Sequence, residues 1–152
     1  MRDLPLNLVK TLWEITPKGV LINLETRGRA KAGDSAGWAA TDGYVTIRYQ
    51  GLNYYAHRIV WMLHNNSEIP EGMQIDHIDR DRSNNSPDNL RPATHSQNQL
   101  NRGALGCYYD KRERLWKAQI NFDGKTHHLG YFDTQLDARK VYEEFAEELR
   151  SI

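Results

Sequence analysis

The segment from residue 74 to residue 101 holds the side chains best suited to hydrolytic chemistry. Asp76 and His77 are adjacent, and Asn98 follows in a short predicted helix. A carboxylate oxygen and an amide oxygen, completed by water and a substrate phosphate, make a typical open site for Mg²⁺. Histidine, with an ordinary pKa of about 6.5, suits a general base at neutral pH. These residue types allow base-assisted attack by water beside a metal, but chance pairing and ordinary turn formation remain alternatives.

The elements that must position these residues are predicted from local patterns. Residues 73–78 are predicted to form a short strand, and the polar residues 79–93, interrupted by two prolines, to be mostly loop. Thr94 and Gln97 have the spacing of a capping box, which predicts a helix that begins there and ends near Gly103. The candidate residues therefore lie on a strand and on the helix that follows the loop.

Upstream of this segment the chain alternates short apolar patterns with turn signals. The predicted elements are a helix within 4–15, a strand over 20–24, a loop over 25–43, a hairpin of strands 44–49 and 52–55, and a buried helix over 57–63. His57 opens that helix and is interpreted as a packing or capping residue. Arg91 is left open between neutralising the candidate site and forming an ordinary salt bridge.

The last third of the chain has a clear two-faced pattern. One face of a predicted strand holds Trp116, Ala118, Ile120 and Phe122, and the other face holds Lys117, Gln119 and Asn121. The Asp123-Gly124 pair is a strong signal for a hairpin into a strand over 125–130. An amphipathic helix follows, with a stripe of Ala138, Val141, Tyr142, Phe145 and Leu149. This order predicts a three-stranded antiparallel sheet covered by one helix.

Composition limits the class of protein. The 152 residues carry 20 basic and 20 acidic side chains, and no apolar run approaches the roughly 20 residues of a membrane span. The single cysteine, Cys107, excludes an internal disulfide and a cysteine-based zinc site. We therefore expect an intracellular, cytoplasmic protein without a membrane partner. Charge is polarised, because residues 102–132 carry six basic and three acidic side chains and residues 133–152 carry three and six.

The candidate segment resembles the HNH nucleases, the His-Me finger superfamily built on a ββα-metal core. The resemblance rests on Asp76-His77, on Asn89-Leu90-Arg91 and on the segment from Ser96 to Asn101. The resemblance is strongest to the branch found in phage and intron homing endonucleases. Residues 56–61 also resemble the lead-in helix of that branch, and residues 33–55 resemble the loop and hairpin that precede it. The resemblance covers roughly residues 15–103, but paired CxxC zinc clamps are absent.

The resemblance implies a role for each matching residue. His77 would be the general base that activates water, and Asn89 would hold the loop so that His77 keeps its orientation. Asp76 and Asn98 would ligate one divalent metal, Mg²⁺ or Mn²⁺, which stabilises the developing charge and the leaving 3′ oxygen. Asparagine at the last position, where many relatives have histidine, favours a hard, oxygen-binding ion.

Residues 104–150 resemble a second family, the Apetala/ethylene-response-factor DNA-binding domain, in which a three-stranded sheet enters the major groove. The resemblance rests on the segments 106–109, 116–120 and 129–134 together with Ala138 and Tyr142. It implies a DNA-binding face formed by Tyr108, Arg112, Arg114, Lys117, Gln119, Asn121, Thr126 and His128. Glutamine and asparagine can pair with adenine edges. A protein-binding or purely structural module is the alternative.

These observations predict an α+β protein of two domains. Residues 1–103 would form an HNH ββα-metal nuclease domain with a flanking hairpin and helix, and residues 104–152 a DNA-binding domain of three antiparallel strands and one helix. The predicted function is metal-dependent cleavage of double-stranded DNA, typical of a homing enzyme from a phage in a bacterial host. The alternatives are a non-cleaving DNA-binding regulator and a structure-specific or restriction-like nuclease. Target sequence and oligomeric state stay open.

Overall fold

The computed structural model describes residues 3–101 and 106–152 of the chain. The chain divides into two compact units, unit 1 (residues 1–93) and unit 2 (residues 94–152). The predicted domain boundary between residues 103 and 104, like the helix end near Gly103, lies outside the described residues and stays a prediction. Both units combine helices with small antiparallel sheets, which confirms the α+β class. No helix in the described ranges is long and apolar enough to cross a membrane.

Unit 1 is built from short elements around one central helix. In chain order they are helix α1 (Leu6–Leu12), strands β1 (Trp13–Ile15), β2 (Leu21–Asn23), β3 (Trp38–Ala39), β4 (Val45–Tyr49) and β5 (Leu52–Tyr55), helix α2 (Ala56–Asn65), strand β6 (Gln74–His77), a 3₁₀ turn (Pro87–Asn89) and strand β7 (Leu90–Ala93). The predicted hairpin β4–β5 and helix α2 are confirmed. The predicted N-terminal helix is shorter than its pattern, because the chain turns at Trp13 into β1, which pairs with β2.

Helix α2 lies at the centre of unit 1 because its sequence is apolar on most of its circumference. Its side chains Ile59, Val60 and Met62 are at most 3% exposed. They pack with α1, the hairpin and the two strands of the candidate site; the other buried members of this core are Val9, Leu12, Trp13, Leu21, Ile47, Tyr54, Ala56, Trp61, Ile75 and Leu90. The core therefore supports α2 and the strands β6 and β7 together.

Strands β6 and β7 form an antiparallel pair in which Asp76 lies opposite Arg91 and His77 opposite Leu90. The prediction of mostly loop over residues 79–93 is wrong for its last four residues, which form β7. The polar, proline-containing sequence hid this strand. Pro92 is tolerated because β7 pairs on one side with β6, and a proline can sit on an edge strand.

Unit 2 has the predicted order of three strands and a helix after a short capped helix. Its elements are helix α3 (His95–Leu100), strands β8 (Cys107–Asp110), β9 (Leu115–Phe122) and β10 (Lys125–Phe132), and helix α4 (Gln135–Ser151). The sheet order is β10-β9-β8, with both pairs antiparallel. Ala118 and Ile120 are at most 2% exposed, and Ile120 packs against Tyr142 and Ala146 of α4. The predicted inner face of the sheet is therefore confirmed.

Two local signals of unit 2 act as predicted. The Thr94 side chain accepts a hydrogen bond from the Gln97 backbone, and the Gln97 side chain accepts one from the Thr94 backbone, which completes the capping box of α3. Asp123 and Gly124 both have positive φ angles, 48° and 73°, as the tight two-residue turn between β9 and β10 requires.

Candidate active site

His77 is the last residue of β6 and is only 4% exposed. Its Nε2 lies 3.0 Å from Oδ1 of Asn85, which is also buried. With the amide in this orientation, Nε2–H donates to Asn85 and the lone pair of the neutral ring resides on Nδ1. The pair therefore sets both the plane and the tautomer of the imidazole, as a general base requires.

The loop between β6 and β7 is held by the side chain of Asn89. Its Oδ1 accepts from the Asp79 backbone N–H at 3.0 Å, while its Nδ2 donates to Asp79 Oδ1 at 2.9 Å and to the Asn84 carbonyl at 2.8 Å. Hydrogen bonds from Asn84 and Asn89 hold the pKa of Asp79 below its usual range. Asn89 thus fixes the start and the middle of the loop that carries Asn85.

A second contact holds the same loop from the other side. Gly19, in the turn between β1 and β2, has a φ of +74° and approaches the loop so closely that a Cβ there would lie 1.8 Å from the Asn85 carbonyl oxygen. Only glycine fits this approach. The N-terminal strands of unit 1 therefore help to place Asn85, and through it His77.

Asp76 is 6% exposed and forms an ion pair across the β6–β7 ladder. Its Oδ2 accepts from both Nε and Nη2 of Arg91, each at 3.2 Å. Of the two alternatives for Arg91, the structure shows the salt bridge, and its effect on the candidate site stays a prediction. A divalent ion held by Asp76 would share this carboxylate with the guanidinium of Arg91.

The metal ligands predicted from the sequence, Asp76 and Asn98, both offer oxygen atoms. Among residues 3–101 and 106–152, no three His, Cys, Asp or Glu side chains are grouped to hold a metal. An oxygen pair such as Asp76 and Asn98, completed by water and phosphate, is how Mg²⁺ is commonly bound. Asn98 is the fourth residue of α3 and belongs to unit 2, where its backbone N–H donates to the Thr94 carbonyl at 3.0 Å. Its role as a ligand stays a prediction from the sequence.

Sequence interpretation missed part of the surroundings of His77. Asn85 stands in an Asn-Asn pair that resembles an ordinary turn, and no spacing rule connects it to His77 eight positions earlier. His57 is buried as a packing residue, but its ring centroid lies 4.8 Å from that of His77. Tyr44 of the β3–β4 turn is close to both rings, at 5.2 Å and 5.9 Å. The resemblance of the residues around His57 to a lead-in helix was the available signal for the second histidine.

Unit 2 presents the predicted DNA-binding residues on the sheet face opposite α4. The register places Lys117 between Tyr108 and Tyr131, Gln119 opposite His128, and Asn121 opposite Thr126. The Thr126 hydroxyl donates to Asn121 Oδ1 at 2.7 Å. The structure therefore brings the predicted strand residues together on one face.

Cationic side chains lie both at the rim and at the centre of this face. Arg112 and Arg114 are exposed in the turn between β8 and β9. Lys117 Nζ lies 6.0 Å from the Tyr108 ring centroid and 5.8 Å from that of Tyr131, so the ammonium stands between two half-exposed rings. Tyr131 was missed because β10 extends two residues beyond the predicted strand end.

Comparison with known proteins places the HNH motif in this same region. Residues 54–100 match the model of the HNH endonuclease family, a range that contains Asp76, His77, Asn85, Asn89 and Asn98. The chain is 34% identical over 96 residues to a protein of Acanthamoeba polyphaga mimivirus named as an uncharacterized HNH endonuclease. It is 34% identical over 72 residues to Protein 3.8 of Escherichia phage T7. Residues 54–100 are therefore similar in sequence to HNH endonucleases.

The alignments with these relatives cover only part of each protein. The mimivirus alignment covers 61% of this chain and 51% of its relative, and the phage alignment covers 42% and 60%. The chain thus spans about half to three fifths of the curated relatives it matches. Among solved structures it is similar to one titled as DNA binding and cleavage by the HNH homing endonuclease I-HmuI, with 24% identity, a TM-score of 0.46, and coverage of 68% of this chain and 60% of that one.

Proposed function

We propose that this chain, with its HNH endonuclease segment at residues 54–100, is a metal-dependent endonuclease that hydrolyses phosphodiester bonds in double-stranded DNA. The observation that carries the proposal is the buried His77, whose Nε2 is held by Asn85 within the matching segment. A histidine fixed in one tautomer, next to a buried carboxylate, is the arrangement that base-assisted phosphodiester hydrolysis needs.

The proposed chemistry assigns the proton transfer to His77. A water molecule loses a proton to Nδ1 of His77 as its oxygen bonds to the scissile phosphorus. The bond from phosphorus to the 3′ oxygen breaks, and the 3′ oxygen leaves with the electron pair and takes a proton from solvent water to become a hydroxyl. The Nε2–H···Asn85 hydrogen bond keeps the ring aligned and stabilises the imidazolium that forms. Asn89 holds the loop that carries Asn85, so it acts on His77 indirectly.

Asp76 and Asn98 are the residues that would hold the ion, Mg²⁺ or Mn²⁺. When bound, the ion supplies charge stabilisation at the reacting phosphate and at the leaving oxygen. Arg91 stays paired with Asp76 on the side of Oδ2 and limits the negative charge of the site. The assignment of Asp76 is supported by its burial and charge, and that of Asn98 by the sequence pattern.

The sheet face of unit 2 is proposed to place the enzyme on duplex DNA. Its exposed and half-buried side chains combine donors and acceptors for base edges with cations for phosphate, namely Tyr108, Arg112, Arg114, Lys117, Gln119, Asn121, Thr126 and His128. Polar side chains on an exposed strand face suit contact with a groove better than burial in a protein core. We propose a homing-type role as the biological setting. Similar proteins in phage T7 and in a mimivirus support this setting.

Plasmid cleavage tests the proposal directly. Supercoiled DNA should become nicked or linear with Mg²⁺, remain intact with EDTA, and remain intact with His77→Ala. His64→Ala, which removes an exposed histidine at the end of α2, is the matched control and should cut like the natural sequence. Equal cutting by His77→Ala, or cutting in EDTA, would overturn the assignment of the base or of the metal.

A second function is favoured by the same exposed face of unit 2. A regulator that binds DNA without cleaving it needs this face and does not need a fixed imidazole at His77. It predicts a gel shift of duplex DNA in EDTA together with no strand breaks in Mg²⁺. Footprinting on random duplexes and on branched DNA then separates a sequence-specific nuclease from a structure-specific or restriction-like one.

A further inference from the structure

The second buried histidine of unit 1, His57, is not used by the chemistry proposed above. It is the second residue of α2, it is 4% exposed, and its ring centroid lies 4.8 Å from that of His77 with an angle of 58° between the ring planes. The two residues are 20 positions apart in sequence. The fold therefore brings one imidazole against another at the candidate base.

Two tyrosine rings also lie against His57. The Tyr55 ring stacks on it at 5.5 Å and 26°, and the Tyr44 ring lies 5.2 Å from His57 and 5.9 Å from His77. Tyr55 donates from its hydroxyl to Asp42 Oδ2 at 3.1 Å, while the Arg82 guanidinium lies 4.9 Å from the Tyr44 ring centroid. His57 and His77 therefore belong to one cluster of aromatic rings whose tyrosines are held by further contacts.

A packing role alone does not explain why this residue is a histidine. Nδ1 of His57 is buried, and within the described residues it has no hydrogen-bond partner. A buried polar atom without a partner lowers stability, so an apolar ring would serve packing better. The contact that the structure shows for this ring is the one with the His77 imidazole.

His57 is also unsuited to proton transfer at neutral pH. Burial, together with the neighbouring His77 and Arg58, lowers its pKa to about 3. It is therefore neutral while His77 accepts and releases a proton. A neutral ring tolerates the imidazolium that forms on His77, whereas a charged side chain in the same place would oppose it.

We propose that His57 is a positioning residue for His77, whose ring it holds in the plane that keeps Nε2 on Asn85. This inference rests on the proposed function of His77 as the base. It assigns His57 no contact with DNA or metal. Loss of the ring should release the His77 imidazole to rotate and to exchange tautomers, without changing the affinity of the protein for DNA.

The test compares His57→Ala, which removes the ring, with His57→Phe, which keeps a flat ring without nitrogens. At saturating plasmid and Mg²⁺, His57→Ala should lower the cleavage rate constant about 100-fold, the loss typical of a misplaced catalytic group, with unchanged Kd for duplex DNA. His57→Phe should recover part of that loss. His64→Ala on the same helix is the control for removal of a histidine from α2.

A spectroscopic readout keeps the inference independent of cleavage. With ¹⁵N-labelled histidine at pH 7.5, the natural sequence and His57→Phe should show His77 predominantly as one neutral tautomer with the proton on Nε2. His57→Ala should show nitrogen shifts averaged between the two tautomers, in samples whose thermal unfolding confirms that they are folded. If the natural protein does not cut DNA but the tautomer responds in this way, the proposed function fails and the positioning role stands.

Three results would overturn the positioning role itself. One is His57→Ala cutting within threefold of the natural rate while His77→Ala is inactive. Another is an unchanged His77 tautomer in folded His57→Ala. A loss of cleavage that only follows the folded fraction, with the same His77 spectrum, would likewise reduce His57 to a packing residue.

Discussion

Unit 1 and unit 2 arrange their polar side chains in opposite ways. In unit 1 the candidate catalytic groups Asp76, His77 and Asn85 are 4–6% exposed, and each contacts another polar group. In unit 2 the candidate recognition groups stand on an open sheet face, where Tyr108 and Tyr131 are each 46% exposed. The difference matches the tasks proposed for them. A base must be held in one geometry away from bulk water, whereas side chains that contact a groove must reach out from a rigid support.

The comparison also extends to how each unit is held together. Unit 1 closes its site through long-range contacts between loops, such as the approach of Gly19 to Asn85. Unit 2 relies on a regular sheet covered by one amphipathic helix, and its closest glycine contact is Gly106 against the Tyr142 ring. Disturbing either contact should therefore affect different properties of the protein.

The largest effects are expected from filling these two close approaches. Gly19→Ala would place a Cβ 1.8 Å from a backbone oxygen, and Gly106→Ala would place one 2.0 Å from the Tyr142 ring, both at positive φ. Each should lower the free energy of unfolding of its own unit by about 3 kcal/mol, from overpacking and strain. Residue-resolved amide hydrogen exchange measures the two units separately.

Controls for this pair are glycines with positive φ but open space. Gly51→Ala in unit 1 and Gly124→Ala in unit 2 have no heavy atom within 4 Å of the added Cβ. They therefore measure only the loss of stability that comes from placing alanine at a positive φ. We further expect Gly19→Ala to reduce cleavage and Gly106→Ala to reduce duplex binding. Equal destabilisation of both units by either variant would contradict the separation of roles.

Removing the partner of His77 should give the next largest effect. Asn85→Ala leaves Nε2 without its acceptor at 3.0 Å, so the imidazole can adopt either tautomer. We expect about a 100-fold lower cleavage rate with unchanged duplex affinity. Asn53→Ala, on the exposed β5, is the control. A parallel loss of DNA affinity would instead place Asn85 in substrate binding.

The buried histidine should make stability dependent on pH. The pKa of His57 is lowered to about 3 in the folded protein against an ordinary value of 6.5, so the unfolded chain binds more protons between these limits. Stability contributed by the neutral ring is present above the unfolded pKa and is lost as pH falls. From pH 7 to pH 5 the free energy of unfolding should fall by about 2 kcal/mol from this group.

Denaturant unfolding at several pH values measures this slope. His57→Phe should flatten it, because no proton can bind at that position in either state. His128→Asn, which replaces an exposed histidine of unit 2, is the control. The measured range, from pH 7 to pH 5, stays above the pH at which Asp79 and Asp81 become protonated, because the pKa of each carboxylate is lowered. An unchanged slope in His57→Phe would show that another group causes the acid sensitivity.

The smallest effect is expected on the open face of unit 2. Lys117→Gln removes the ammonium between Tyr108 and Tyr131. If it contacts a phosphate, duplex binding should weaken similarly on all sequences, and the slope of log K against log salt should fall by about 1. Lys140→Gln, exposed on α4, is the control. A change in sequence preference instead of salt dependence would assign Lys117 to base recognition.

Much of the fold could be predicted because its signals are local. The hairpin over residues 44–55, the capping box at Thr94 and the two faces of β9 depend on neighbours in sequence, and the structure agrees with each. Strand β7 was missed because Leu90–Ala93 has weak strand propensity and becomes a strand by pairing with β6. The short N-terminal helix ends before its apolar pattern does for a similar reason, since pairing of β1 with β2 overrides the helical pattern from Trp13 onwards.

By itself the sequence indicated which residues carry the candidate chemistry, because Asp76-His77, Asn89 and Asn98 match the motif of the HNH nucleases that the chain resembles. The tertiary structure alone decided what surrounds them. Asn85 on Nε2 of His77, Arg91 on Asp76, and the ring of His57 against His77 arise from contacts between separate segments. Such contacts follow from how the core around α2 packs, which no local spacing encodes. The candidate base can therefore be identified from the sequence, while the orientation of its ring depends on the folded structure of unit 1.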